Sequence, residues 1–242
     1  MKITARTDKG LVRDNNQDSY AAGELEGNAI FAIVCDGMGG AAEGAFASAE
    51  AVKVIREKIT THYYDGMTDI SLKGLLISAL EQANRKVYEL SLTDEKYNGM
   101  GTTVVAAIAT DSYVYYAHAG DSRAYRVTAD SVTQLTNDHS VVQRMVENGE
   151  ITALEAVDHP SKHIITRALG ADNEIKIDFG QEPFEDDEIY ILCTDGLTNY
   201  SKPEDLVKLT SDGHYYEYAD RLVNLANHNG GGDNITVVTF LK

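Results

Sequence analysis

Short apolar stretches rich in β-branched and aromatic residues recur along the chain at 29–35, 102–110, 113–117, 124–127, 132–135, 189–193 and 235–241. Most of them read as strands. The interruptions at 110–112 and 128–131 are short and polar, as hairpin turns are, so the middle of the chain reads as an antiparallel meander and parallel winding is disfavoured there. Helical periodicity appears outside these runs. Ala45, Ala49, Val52, Ile55 and Ile59 share one face, Leu72, Leu76, Ala79, Ala83, Val87 and Leu90 share another, and Ala219, Leu222, Val223 and Ala226 form a third that stops at Gly230-Gly231-Gly232.

The stretch 137–172 breaks the rhythm: a short helix capped by Ser140 and stopped by Gly149 precedes His159-Pro160 and a few basic residues. It reads as an inserted flap. No Pro-, Gly- or Ser-rich linker and no internal repeat divides the chain, and 242 residues fit one large core, so a single domain over 1–242 is expected.

With 43% hydrophobic and 24% charged residues the composition is that of an ordinary globular protein. A net charge of −17 repels polyanions, which excludes nucleic acid as an expected partner. Cys35 and Cys193 each lie in an apolar run and read as packing residues rather than as a disulfide. The amino-terminal MKITARTDKG has no hydrophobic signal segment, and no apolar run approaches the roughly 18 residues of a membrane span. A cytoplasmic, membrane-free setting is the expectation.

One local pattern occurs twice: an apolar strand followed by an acid and a glycine, FAIVC-Asp36-Gly37 and IYILCT-Asp195-Gly196. Asp121 follows the run YVYYAHAG, and Asp233 stands just before the terminal strand. A lone Asp-Gly is ordinarily a turn. Four aspartates at strand edges instead suggest one shared rim. Crowding them costs several kcal/mol of repulsion and desolvation unless positive charge neutralises them. Oxygen ligands, with no Cys or His pair at zinc spacing, select hard cations such as Mg²⁺ or Mn²⁺, and the glycine after Asp36 offers its carbonyl as a further ligand. Arg13 lies in LVRDNNQDSY beside Asp14 and Asp18. Its guanidinium suits either a bidentate grip on phosphate or a surface ion pair with Asp14.

These residues together resemble the PP2C-type (PPM) family of metal-dependent protein serine/threonine phosphatases, in its compact bacterial form. The likeness rests on Gly10-Leu11-Val12-Arg13 with Asn16-Gln17-Asp18, Asp36-Gly37-Met38-Gly39-Gly40, Gly101-Thr102-Thr103, Gly120-Asp121-Ser122-Arg123, Thr166-Arg167-Ala168-Leu169-Gly170, Thr194-Asp195-Gly196-Leu197 and Gly232-Asp233-Asn234. It implies an α+β fold, a four-layer α-β-β-α sandwich of two antiparallel sheets flanked by helix pairs. It also implies hydrolysis of phosphoserine and phosphothreonine by water activated between Mn²⁺ or Mg²⁺ ions, two bound tightly and a third more weakly. By the same resemblance Asp36 bridges the two tight ions, the Gly37 carbonyl binds one, Asp195 and Asp233 complete the other, and Asp121 holds the third with help from Asp195. Asp18 holds metal-bound water and Arg13 binds the substrate phosphate. The partners so implied are phosphoproteins, including a bacterial serine/threonine kinase, with the phosphatase itself a monomer.

Two positions depart from the pattern. Gln17 stands where many relatives have an acid, and Met38 stands where many animal relatives have a histidine proposed as general acid. His139, His159 and His163, in or beside the flap, are the histidines left for that role. Two alternative readings remain: a small-molecule phosphatase, which shares the metal chemistry, and a non-catalytic phosphoprotein-binding regulator of the same fold, against which the intact Asp36, Asp195, Asp233 and Arg13 argue.

Overall fold

Strands that alternate between two buried surfaces organise the molecule. A computed structural model describes the backbone of residues 1–242 and every side chain but that of Ala41. Among the described residues the strands are β1 (Lys2–Asp8), β2 (Asp18–Glu24), β3 (Ile30–Met38), β4 (Gly101–Thr102), β5 (Val104–Ala109), β6 (Tyr113–Ala119), β7 (Arg123–Val127), β8 (Val132–Gln134), β9 (Asp178–Pro183), β10 (Ile189–Cys193) and β11 (Ile235–Leu241). The helices are α1 (Ala41–His62), α2 (Asp69–Ser91), α3 (Val141–Glu147), α4 (Ala153–Val157), α5 (Asp195–Thr198), α6 (Pro203–Leu209) and α7 (Tyr218–His228). One sheet runs β1-β11-β10-β7-β8 and the other β2-β3-β5-β6-β9, with β4 paired to the end of β3. Neighbouring strands are antiparallel throughout.

Each central strand feeds two cores. Phe31, Ile33 and Cys35 of β3 pack under α1 and α2, while Ile30, Ala32 and Val34 point between the sheets. In the other sheet Ile189, Ile191 and Cys193 of β10 pack beneath α7, and Tyr190 and Leu192 meet the inter-sheet core. There Tyr190 stacks on Phe240 at 5.4 Å and Phe184 meets Tyr190 edge-on at 5.3 Å. Burial on both faces explains why these strands read as continuous apolar runs. The result is the expected four-layer α+β sandwich. Its outer layers are unequal: two long helices cover one sheet, whereas α7 is joined on the other only by the short α5 and α6.

In the stretch 137–172, Ser140 accepts a hydrogen bond from Gln143 N at the start of α3, and Gly149 takes φ +73° just after its end. A second short helix, α4, begins with a Thr152/Glu155 capping box. The stretch is stitched back by Val141 N to Ile164 O at 2.8 Å and Thr166 N to His139 O at 2.7 Å.

Phe240 is 1% exposed inside the aromatic cluster, so Phe240→Ala is expected to destabilise the fold by about 3–5 kcal/mol. Ile70→Ala, at a site 85% exposed, should change stability by no more than about 0.5 kcal/mol. Urea unfolding of both variants measures the contrast.

Candidate metal centre

The register of the sheets brings the acids to one end of the sandwich. Asp36 lies near the end of β3, cross-strand from Asp18 on β2. Asp195 opens α5 immediately after β10 and Thr194, Asp233 precedes β11, and Asp121 follows β6 through Gly120. Asp36, Gly37, Asp121, Asp195, Asp233 and Arg13 all line one cavity of about 620 Å³, together with Gln17, Lys162, His163 and Asn199. Asp18 lies behind that wall and is 8% exposed. Its Oδ2 accepts from Thr194 Oγ1 at 2.9 Å and Thr236 Oγ1 at 2.7 Å.

Both Asp-Gly glycines are required by close backbone approach. A Cβ on Gly37 would lie 2.0 Å from Gly44 O, and one on Gly196 would lie 1.9 Å from Asn234 O. The repeated acid-glycine pattern thus lets each aspartate-bearing segment press against a neighbouring segment at the rim. Gly10, at φ +78°, has the same constraint: its Cβ would meet Asp233 O at 2.2 Å. That contact draws the Arg13 loop onto Asp233, and Arg13 Nη2 donates to Asp233 Oδ2 at 2.9 Å. The ion-pair partner of Arg13 is therefore Asp233 and not Asp14.

Burial is the main cause of the raised pKa values across this rim. Asp18 is pushed up to about 7 by burial and by the charges of Asp195 and Asp233, against the Thr236 and Thr194 hydrogen bonds. Asp121 is likewise pushed up to about 7 by burial, with Asp195 and Asp138 adding to it. Asp36 is raised well above the carboxylate range by burial and by its neighbours Asp18, Asp195, Asp121 and Asp233. Asp195 is raised by burial and then by Asp233.

The donor set fits divalent cations. Asp18 Oδ1 and Asp195 Oδ1 are buried without a hydrogen-bond partner, an expensive state for a carboxylate oxygen. Among the described residues no three of the acids' ligand atoms fall within 4.8 Å of one another. All are oxygens, as hard cations require. By contrast, His118, His139 and Asp178 do bring three ligand atoms within that distance. The two imidazoles stack at 4.6 Å with only 10° between their planes, so their in-plane lone pairs do not converge on one ion. Arg167 also lies 2.8 Å from His139 Nε2, where it would oppose a cation.

That histidine pair instead anchors the Asp121 segment. His139 N donates to Gly120 O at 2.9 Å, and Gly120 N donates to His139 Nδ1 at 3.1 Å. His139 Nε2 faces both Asp178 Oδ2 at 3.1 Å and Arg167 Nη1 at 2.8 Å. Burial pushes the His139 imidazole down to about 4. On the other side, Thr103 Oγ1 accepts from Asp36 N at 3.0 Å and contacts Ser122 Oγ at 2.6 Å, tying the Asp36 and Asp121 segments together. In the sequence Thr103 and Ser122 stand out only as members of motifs, and His139 only as a candidate proton donor. Of the three flap histidines, His163 is the one lining the cavity; His159 Nδ1 accepts from Ser161 N. Gln17, the neutral residue where many relatives have an acid, donates from Nε2 to Gly40 O at 2.9 Å and also lines the cavity.

A family profile described as Protein phosphatase 2C matches residues 11–234. The chain belongs to the protein phosphatase 2C family. The serine/threonine phosphatase stp of Listeria welshimeri is 38% identical over 243 residues, covering 98% of this chain and 94% of that protein. The solved structure of the S. agalactiae serine/threonine phosphatase superposes with a TM-score of 0.92 at 34% identity, covering 100% of this chain and 99% of that one. The catalytic domain of the serine/threonine protein phosphatase PstP in complex with 2 manganese ions superposes with a TM-score of 0.86 at 32% identity, covering 98% of this chain and 96% of that one. Members of this family are hydrolases, and the acid-lined cavity of the present chain accords with that membership.

Cation binding must displace protons from the acids whose pKa values are raised. Below about 7 the folded protein holds protons on Asp18 and Asp121 that a bound cation would expel. Calorimetric Mn²⁺ affinity is therefore expected to strengthen from pH 5.5 to pH 7.5, with proton release on binding. A pH-independent affinity over that interval would contradict the assignment of the buried acids to the cation site.

Proposed function

We propose that this protein phosphatase 2C hydrolyses phosphoserine and phosphothreonine esters of proteins at the acid-lined cavity, using divalent cations held by its aspartates. The observation that carries the reading is the gathering of Asp36, Asp121, Asp195 and Asp233 with Arg13 on one cavity wall. Asp36 and the Gly37 carbonyl would hold one cation, and Asp36, Asp195 and Asp233 a second. Asp121, with Asp195, would hold a third, weaker one. Mn²⁺ and Mg²⁺ both suit such oxygen donors. When bound, such cations supply charge neutralisation and a water acidic enough to attack phosphorus near neutral pH.

The chain's own groups do the rest. Arg13, with its side chain half exposed and held by one contact to Asp233, can turn its fork toward an incoming phosphate and orient it. Asp18 is fixed by two threonine hydroxyls, which leaves its free Oδ1 to orient water from behind the wall. Thr103, bonded to both sides, keeps the Asp36 and Asp121 segments from drifting apart. His163 is the flap histidine in the cavity lining and is our candidate proton donor to the leaving alcohol.

The reading extends to one phosphatase domain over 1–242 with a flap at 137–172, acting as a monomer in the cytoplasm and opposing a serine/threonine kinase. No helix among the described residues is long and apolar enough to cross a membrane.

Phosphate release from a phosphothreonine peptide tests the assignment. Asp36→Asn and Asp195→Asn should each lower kcat by more than about 100-fold in saturating Mn²⁺, because each removes a cation-neutralising charge. Asp18→Asn, which touches the site only indirectly, should lose about 10- to 100-fold. Near-normal turnover by either of the first two variants, or undiminished activity in chelator, would refute the site.

A further inference from the structure

Beside the acid-lined cavity lies a second depression of about 300 Å³, and the two share Met38 and Ile165 as a common wall. Its chemistry is different. Ala168, Ala171 and Ile175 supply apolar surface, and its charged lining is balanced, Arg167 and Lys176 against Asp172 and Glu174. Arg167 is already engaged by Asp178 Oδ1 at 2.9 Å. A ligand lying across the shared wall would meet the acid-lined cation cavity on one side and a neutral, half-apolar socket on the other.

The socket is preformed. Leu169, next to the lining residue Ala168, is bridged to β4 by Leu169 N to Thr102 O at 2.8 Å and Thr102 N to Leu169 O at 3.0 Å. Gly170, at φ +86°, would drive a Cβ to 2.4 Å from Val87, so the chain there lies tight against α2 and the open space remains on its outer side. Asn84, 1% exposed on α2, holds the following loop with three hydrogen bonds. Its Oδ1 accepts from Gly170 N at 2.8 Å, and its Nδ2 donates to Asp172 O at 3.0 Å and Asn173 O at 3.1 Å. A buried amide spent on fixing a surface loop makes a shaped pocket that needs little rearrangement on binding.

Position identifies the occupant. Met38 is two residues beyond Asp36 on β3, a separation of roughly 7 Å along a strand. An extended substrate covers that distance in about two residues. The volume is about ten times the share of one liquid water, enough for a branched aliphatic side chain.

We propose that this depression is a specificity pocket for an apolar side chain within three positions of the phosphorylated residue of a protein substrate. Ala168, Ala171 and Ile175 form its contact surface, and Met38 and Ile165 divide it from the reaction site. The proposal rests on the phosphoprotein reading of the first cavity.

The test is kcat/KM on phosphothreonine peptides identical except that Leu, Gly or Asp is moved through positions −3 to +3, with p-nitrophenyl phosphate as a substrate that has no flanking residue. Leu at one of these positions should exceed Gly by about 10-fold, chiefly through KM. Ala171→Phe fills the pocket at an exposed position and should erase that advantage while leaving p-nitrophenyl phosphate turnover unchanged. Should the Phe variant prove impaired on p-nitrophenyl phosphate, Ala171→Asp, which leaves room but makes it polar, should erase the advantage instead. Equal rates for Leu and Gly at every position, or a Leu advantage that survives a variant active on p-nitrophenyl phosphate, overturns the pocket. Turnover of p-nitrophenyl phosphate with none of any peptide would instead overturn the protein-substrate reading beneath it.

Discussion

Repulsion among buried carboxylates is the constraint on which the rest of this molecule turns. Asp18, Asp36, Asp121 and Asp195 all carry raised pKa values, with burial as the leading cause and with neighbouring aspartates of the rim among the further causes. A fold does not gather such groups at one end of a sandwich for stability, since each is worse off there than in water. A proton or a positive ligand offsets that cost, and with Arg13 as the arginine in direct contact, the protein's own charge covers one side of Asp233.

The scaffold around the acids is built to resist that repulsion. Glycines at 37 and 196 admit backbone contacts that any side chain would block, and threonines at 103, 194 and 236 spend hydroxyl groups on fixing the acid-bearing segments. His139 secures Gly120 through both its backbone and its ring, so Asp121 is held from the flap side as Asp36 is held from the sheet side. Gly37 and Thr236 lie on strands and Thr194 at a strand end, where packing fixes them more firmly than a loop would.

How much of this is legible in the sequence depends on burial. β3, β5, β10 and β11 are covered on both faces and are readable as apolar runs. β1, β2 and β9 are not, because their sequences are half-exposed and polar, as KITARTD and DFGQEP are at the sheet edges. α5 and α6 are too short, at 4 and 7 residues, to show a helical period. Five of the singled-out acids sit at the cavity or directly behind it, since acid-glycine pairs at strand ends report their location locally. The anchoring role of His139 and the partner of Arg13 are not legible. Both depend on contacts between segments far apart in the chain, Arg13 with Asp233 and His139 with Gly120 and Asp178, which no local pattern encodes.

Two depressions adjoin on this scaffold, the acid-lined cavity and the smaller one beyond Met38. Ala168 and Ala171 are among the residues that line the second. The central claim is that cations occupy the space bordered by the aspartates. Anomalous diffraction from crystals grown with Mn²⁺ tests it most directly. The account predicts at least two strong peaks in the cavity, one beside the Gly37 carbonyl and one beside Asp195 and Asp233, both adjoining Asp36. Peaks absent from that cavity at saturating Mn²⁺, with the acids paired to protein groups instead, would contradict it.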